Sequence, residues 1–371
     1  MGARFEYVFP AIRGIQAQRE YYVSMCPLRL LPGLFVFNEG DAGPEMRAQR
    51  QLNKARVPDL SRYITENLDN YVFSAITVSV DAEVQFDKVA AMDAEADEAH
   101  LMGVLRIPFS ARFIINDGQH RRAAIDLALR EKPELGDETI AVVFFLDLGL
   151  ARCQQMFADL NRHAIRPSKS IGILYDYRDE TAKLTKELIA QSDVFRDLVD
   201  LEKTSLAPRS KKLFTLSALY HATRDLVDVE QEASPHESAQ LALRFWEETA
   251  RHLKEWGRVR QGDVAAGEVR ANYIHTHGVV LQALARTGRE LMVRFPKQWP
   301  KKLRALKGID WRRDNRSLWE GRAMIGGQVA KTHKSTILTA NVLKRELGLE
   351  FTVEDKEVEQ AYRGGNGTKR H

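Results

Sequence analysis

Cysteine is almost absent from this chain: Cys26 and Cys153 are the only two in 371 residues. They supply no disulfide framework, no four-ligand zinc set, no Cys-x-x-Cys pair and no iron–sulfur arrangement. The chain is therefore not expected to donate sulfur or carry a cluster, and both thiols should be reduced. Long apolar runs are also lacking, since none approaches the roughly 18–20 residues of a membrane span. The start of the chain, with Arg4 and Glu6 and no apolar core behind a basic segment, does not have signal-peptide form. A cytoplasmic location without membrane association is expected. No Gly-x-x-x-x-Gly-Lys-Ser/Thr string occurs, which removes the Walker type of phosphate loop. Charge of one sign is scarcely in excess: 55 Lys and Arg against 51 Asp and Glu leave a net +4, so composition permits a nucleic-acid partner without demanding one.

What is present is concentrated in Arg112-Phe-Ile-Ile-Asn-Asp117-Gly118-Gln119-His120-Arg121-Arg122. Phe113 to Ile115 form a short β-prone run, Asp117-Gly118 is a turn pair, and Ala123, Ala124, Leu127 and Ala128 recur at helical spacing. The polar residues thus gather at a helix N-terminus. There the free N–H groups and the helix dipole favour an anion, and His120, Arg121 and Arg122 add donors. Asp117 has several open roles: helix cap, anchor for an arginine, base or metal ligand. The candidate anion or nucleotide site is Asp117, Gly118, Gln119, His120, Arg121, Arg122, Asn161 and Arg162, and its candidate catalytic members are Asp117, His120 and Arg121. Arg50 and Arg56 rank lower.

The string Asp117-Gly118-Gln119-His120-Arg121 resembles the defining motif of the DGQHR-domain family. Ala164-Ile-Arg166-Pro167-Ser168-Lys169-Ser170, after Phe157-Ala-Asp-Leu-Asn161-Arg162, resembles its second element. Phe9-Pro10-Ala-Ile-Arg13-Gly14-Ile-Gln16, Ala48-Gln-Arg50-Gln-Leu-Asn53-Lys-Ala-Arg56-Val-Pro58 and Tyr71-Val-Phe-Ser74-Ala-Ile-Thr77 are similar to DndB proteins of bacterial DNA phosphorothioation systems. The resemblance covers most of the chain. It implies a duplex-DNA-binding negative transcriptional regulator of the sulfur-modification genes, acting at their promoter and in company with other modification-system proteins.

The wider neighbourhood resembles the ParB and sulfiredoxin superfamily. Sulfiredoxins carry a catalytic cysteine where this chain has Gln119, which argues against sulfinic acid chemistry. ParB proteins grip a nucleotide with a Gly-Glu-Arg-Arg string, to which Gly118-Gln119-His120-Arg121-Arg122 is an imperfect counterpart. Related free serine kinases carry Asp-Gly-His-His-Arg. ATP with Mg²⁺ therefore stays open as a ligand, and the alternative function is a nucleotide hydrolase or DNA-nicking enzyme working from the same residues.

Periodicity divides the chain in two. Residues 1–170 read as an α/β domain, for which the superfamily resemblance implies a ParB-like character. Strands are expected at Tyr21–Ser24, Leu34–Phe37, Ser74–Val80, Gly103–Ile107, Arg112–Ile115 and Ile140–Leu146, and helices near Val57–Asn67, Gln119–Arg130 and Leu150–Arg162. Val89–Met102 reads as helix or loop. The strand, turn, helix and strand around the motif suggest a ligand site at a strand's carboxyl end, as in open α/β sheets. Residues 171–353 read as a mainly helical domain with a basic surface, and 354–371 as a disordered Gly-rich tail.

Candidate DNA contacts lie in that second domain: Arg209, Lys211 and Lys212 in the loop 203–212, then Arg312, Arg313, Arg316, Lys331 and Lys334 in the basic stretch from Arg294 to Arg345. Gly326 to Thr336, followed by an amphipathic run from Ile337 to Leu347, suggests a helix-turn-helix. Operators are often read by symmetric dimers, so a homo-oligomer is expected. His275 and His277 stand two apart, diverging by about 200° on a helix, and no metal site is assigned to them. The five tryptophans, all in the C-terminal half, read as core.

Overall fold

The computed structural model describes residues 5–35, 54–89, 101–148, 152–162, 167–227 and 235–367. The chain divides into two compact units, Met1–Ile165 and Arg166–His371.

The first unit is built on a sheet of seven strands: β1 (Glu6–Gln16), β2 (Arg19–Pro27), β3 (Ile76–Asp81), β4 (Gln85–Lys88), β5 (Met102–Pro108), β6 (Arg112–Asp117) and β7 (Thr139–Leu146). Their spatial order is β4-β5-β1-β2-β7-β3-β6. Alternation sets the buried face: Tyr22, Ser24 and Cys26 on β2, Leu105 and Ile107 on β5, and Ile140, Val142 and Phe144 on β7 point into one core. From Ile76 to Val80, β3 is buried at every residue. The helices of this unit are α1 (Leu31–Leu34), α2 (Val57–Thr65), α3 (Gln119–Glu131) and α4 (Cys153–Arg162). In α3, Ala124, Ile125 and Ala128 supply the buried stripe, and α3 packs against α2.

Two sequence expectations for this unit are corrected, and a third lies mostly outside the described residues. The strand expected at Leu34–Phe37 begins instead with the last residue of a helical turn, because Pro32 in the first turn presets helical φ; residues 36 and 37 lie outside the described residues. Most of Val89–Met102 also lies outside them, and Met102 already belongs to β5. The motif does stand at the end of β6, but not in a parallel strand–helix–strand unit. Strand β3 lies between β6 and β7, parallel to β7 and antiparallel to β6. Every other neighbouring pair is antiparallel, so the sheet is mixed and its β6 edge is not a switch point of a doubly wound fold.

The second unit is mainly helical: α5 (Lys169–Tyr175), α6 (Glu180–Gln191), α7 (Leu216–Leu226), α8 (Pro235–Ala250), α9 (Lys254–Gln261), α10 (Ala266–Asn272), α11 (Gly278–Arg294), α12 (Trp299–Lys302), α13 (Arg316–Trp319), α14 (His333–Leu347) and α15 (Val353–Gly367). Two-residue strands β8 (Val199–Asp200) and β9 (Phe214–Thr215) pair in parallel, and β10 (Met324–Ile325) pairs antiparallel with β11 (Gln328–Val329). Asp179, Thr215 and Thr332 cap their helices through side-chain oxygens. The core centres on Phe195, Phe214, Trp246 and Trp256, with Phe214 and Trp256 edge to face at 5.0 Å. Each such side chain contributes about 2–3 kcal/mol through burial. All five tryptophans are buried.

The expected disordered tail is a helix for most of its length. Asp355 and Glu359, one turn apart on α15, face inward, where Glu359 takes both ends of the Arg322 guanidinium at 2.7 and 2.8 Å. Lys344 lies 2.7 Å from Asp355 and 2.6 Å from Glu290. A glycine-rich composition had hidden two inward carboxylates spaced for one helix face.

Candidate functional site

At the motif, β6 ends on Asp117 and α3 begins on Gln119, so one residue must reverse the chain. Gly118 does this at φ 108°. A Cβ there would sit 3.1 Å from Ile76 Cγ1 and 3.2 Å from Arg121 Nη2, so both conformation and space require glycine. The reversal brings Arg121 back to Asp117, Nη2 donating to Oδ2 at 2.6 Å. Arg121 also donates to Ser74 Oγ. Asp117 is therefore the arginine's anchor, and the N-cap position of α3 falls to Gly118, which has no side chain to cap it. Gln119 Nε2 donates to the Ile115 carbonyl at 3.1 Å and Arg122 Nη2 to the Pro32 carbonyl at 2.9 Å.

His120 is half-buried. Burial foremost, then the charge of Arg56, hold its pKa below the ordinary imidazole value, with Asp117 opposing. The imidazole is thus neutral near pH 7, with the Arg56 guanidinium near it. Arg56 belongs to this constellation more firmly than its sequence position suggested. The neighbouring Asn116 on β6 is buried and donates to Ser79 Oγ at 2.8 Å, with Met156 Sδ on α4 3.0 Å away. Chemically, the arrangement offers an uncapped helix start, a carboxylate with one oxygen held by arginine, and a neutral imidazole. Asn161 and Arg162 close α4, but their side chains, like Arg50 and Arg166, lie outside the described residues.

Cys26 is buried, and desolvation pushes its thiol up to about 12. A nucleophilic cysteine needs the opposite shift.

In the second unit the loop 203–212 is a fixed structure. Arg270 of α10 is buried beneath it and donates to four carbonyls: Ala207 at 2.7 Å, Ser210 at 3.1 Å, Pro208 at 3.3 Å, and Lys212. One turn earlier a Cβ at Gly267 would lie 2.0 Å from the Pro208 carbonyl oxygen. The two residues let the loop lie directly on α10. Arg209 and Lys211 point outward with no ionic partner among the described residues, whereas Lys212 Nζ turns back to the Asp197 carbonyl at 2.8 Å. Sequence reading missed Gly267 and Arg270, because their partners are some 60 positions away.

The basic stretch from Arg294 to Arg345 separates into three kinds of cation. Arg322 and Lys344 are buried in ion pairs. Arg312 forks onto Asp314 at 2.6 and 3.0 Å, Arg313 donates to the Ala271 and Gly327 carbonyls, and Arg294 pairs with Glu350. Lys297, Lys301, Arg304, Lys307, Arg316, Lys331 and Lys334 are exposed without an ion pair among the described residues.

No helix-turn-helix is found at 326–347. Gly326 and Gly327, at φ 59° and 77°, form the two-residue turn of the β10–β11 hairpin. The following α14 opens with a capping box of Thr332 and Ser335 and is buried at every residue from Ser335 to Lys344, which leaves no face for a DNA groove. The Gly-Gly pair signalled a hairpin, and the Ser/Thr-Lys run signalled a cap. His275 accepts from Trp256 Nε1 at 3.0 Å and faces Glu255 at 3.3 Å, while His277 Nε2 meets the Arg270 carbonyl at 3.0 Å. These two rings serve the interior of the unit.

The chain belongs to the DndB family: the family model described as DNA-sulfur modification-associated matches residues 9–350. Its place is with the DNA sulfur-modification systems. No curated protein and no solved structure matches the chain.

Proposed function

We propose that this chain is a DNA-binding negative regulator of the genes for DNA phosphorothioate modification, working in the cytoplasm as a homo-oligomer on duplex promoter DNA. One observation carries the reading beyond family membership: a loop fixed by Arg270 holds Arg209 and Lys211 exposed, with no ion pair to either among the described residues. A pre-ordered cationic loop loses little entropy on meeting a phosphate backbone, and each contact releases condensed counterions. Lys334, Arg316 and the exposed run Lys297, Lys301, Arg304 and Lys307 offer further contacts. Arg312, Arg313 and Lys212, already engaged within the protein, are expected to contribute less. The first unit is taken as ParB-like, with the DGQHR pocket binding an anion or nucleotide that modulates DNA affinity.

The test is binding of the purified protein to its own upstream DNA and to a scrambled fragment across a salt series, with and without ATP and Mg²⁺. Specific binding should weaken steeply with salt, and Arg209→Ala and Lys334→Ala should each shallow the log–log slope by about 0.9. Salt-insensitive failure to bind either fragment would overturn the reading. A second reading, a nucleotide hydrolase or nicking enzyme, is favoured by the neutral His120 beside Asp117 at an uncapped helix start. Metal-dependent turnover abolished by Asp117→Ala would make it primary.

A further inference from the structure

Four nitrogen-bearing side chains from three segments of the second unit lie within electrostatic range of one another, where Ser217 N on α7 donates to Ser170 Oγ on α5 at 3.3 Å. Lys169 opens α5, His221 and Arg224 lie one turn apart on α7, and Lys331 lies between β11 and α14. Helix α7 packs against both α5 and α11. His221 senses Lys331, Arg224 and Lys169 in that order after its own burial, which together bring its pKa down to about 4. Lys331, although exposed at its surface, is crowded enough that desolvation leads the lowering of its pKa, with Lys169 and Arg224 adding to it.

The geometry behind this is set by two small residues. A Cβ at Gly278, the first residue of α11, would lie 3.3 Å from Ala218 Cβ, 3.7 Å from Lys331 Cδ and 3.8 Å from Lys331 Nζ. The lysine therefore lies along the start of a 17-residue helix whose N-cap, His277, makes no capping hydrogen bond.

The charges do not balance. Asp225 is the carboxylate that both His221 and Lys331 sense, and it is already engaged, accepting from Gln282 Nε2 at 2.7 Å with Arg286 Nε at 3.9 Å. Lys169, Arg224 and Lys331 make no side-chain hydrogen bond or ion pair among the described residues. Elsewhere in the same unit, cations brought close together, such as Arg322 and Arg345, share a carboxylate, Glu359. Here no further carboxylate among the described residues answers the three cations.

We propose that Lys169, His221, Arg224 and Lys331, at the start of α11, form a binding site for a small tetrahedral oxyanion of the phosphate or sulfate class. The ammonium groups and the guanidinium donate to its oxygens, and the absence of side chains at Gly278 leaves room beside Lys331. His221, neutral without the anion, donates through its protonated ring nitrogen. This site lies in the helical unit, shares no residue with the DGQHR motif, and does not depend on the regulator reading.

The experiment is a titration of the whole protein with inorganic phosphate against chloride at matched ionic strength, followed by calorimetry and thermal unfolding. A saturable signal is expected, with a midpoint rise of about 2–4 °C at ten times the dissociation constant. Lys331→Met should weaken binding at least tenfold, and Lys331→Arg should restore most of it. Should Lys331→Met fail to fold, Lys169→Ala and Arg224→Ala, both at exposed positions, must each show the loss. The His221 ring resonances should titrate at higher pH with phosphate present. A parallel arm measures duplex DNA affinity of the wild type and of Lys331→Met at fixed salt. No saturable phosphate effect, or identical titrations of the wild type and all variants, would overturn the proposal. So would a silent phosphate titration accompanied by weaker DNA binding in Lys331→Met, which would make the cluster a backbone contact.

Discussion

The two units treat their arginines and lysines in opposite ways. In the sheet unit, the basic residues of the motif are consumed locally: Arg121 by Asp117 and Ser74, Arg122 by the Pro32 carbonyl. In the helical unit, cations close in sequence have unrelated fates. Arg322 and Lys344 are buried and paired, while Lys331 and Lys334 are exposed and have no ion pair among the described residues. A dense basic stretch is thus no measure of basic surface. What decides is whether a carboxylate from a distant helix reaches the cation.

The strongest way to break that contrast is to remove a buried partner. Arg322→Met should destabilise the protein by about 3 kcal/mol, the low end for breaking a buried pair, because Arg345 and Arg363 remain 3.5 and 3.4 Å from Glu359. Denaturant unfolding measures this. The same pair fixes an acid limit. The Arg322 guanidinium holds Glu359 down to about 2, below its unfolded value. A depressed carboxylate pKa gives stability that is full above the unfolded value and is lost as pH falls through the folded one. Stability should therefore decline from about pH 5 towards pH 2, and Glu359→Gln should flatten that slope.

Arg270→Met comes next, because it leaves the carbonyls of a fixed loop without their donor. A loss of about 2–3 kcal/mol is expected, together with faster proteolysis confined to 203–212 and weaker DNA binding. An unchanged cleavage rate would show that Gly267 and the rest of α10 hold the loop without the guanidinium.

In the sheet unit, Gly118→Ala should cost about 1–3 kcal/mol, from left-handed backbone strain and from crowding Ile76 and Arg121. Asp117→Asn should cost less than about 1 kcal/mol, since that pair is half open to solvent. If Asp117→Asn proved the costlier of the two, the motif would be held by its ion pair rather than by its turn.

The motif's strand, turn and helix were legible because all three signals are local: an apolar run, Asp-Gly, and alanines at helical spacing. Strand β1 was not, because Pro10 and Gly14 interrupt it and its outward positions Val8, Ile12 and Ile15 are as apolar as its inward ones, which erases the alternation. Of the candidate site, the holding of an arginine by Asp117 was one of several roles the sequence left open, whereas Ser74 and Arg56 join it only through tertiary structure. In the helical unit the failures share one cause. The roles of Arg270, His221 and Lys331, and the inward turn of Asp355 and Glu359, are all set by partners far away in sequence.

Helix α15 has a consequence for biosynthesis. It supplies the counter-charge of Arg322 and one of the two carboxylates on Lys344, so any nascent chain that stops short of residue 353 must enclose Arg322 without its partner. Domains generally fold as units in the order in which they emerge during synthesis. The sheet unit can settle while the helical unit is still being made, but the helical unit cannot close until its last helix has left the ribosome. A prematurely terminated product is thereby marked by exposed, unfinished packing, the feature that cellular proteases and chaperones recognise.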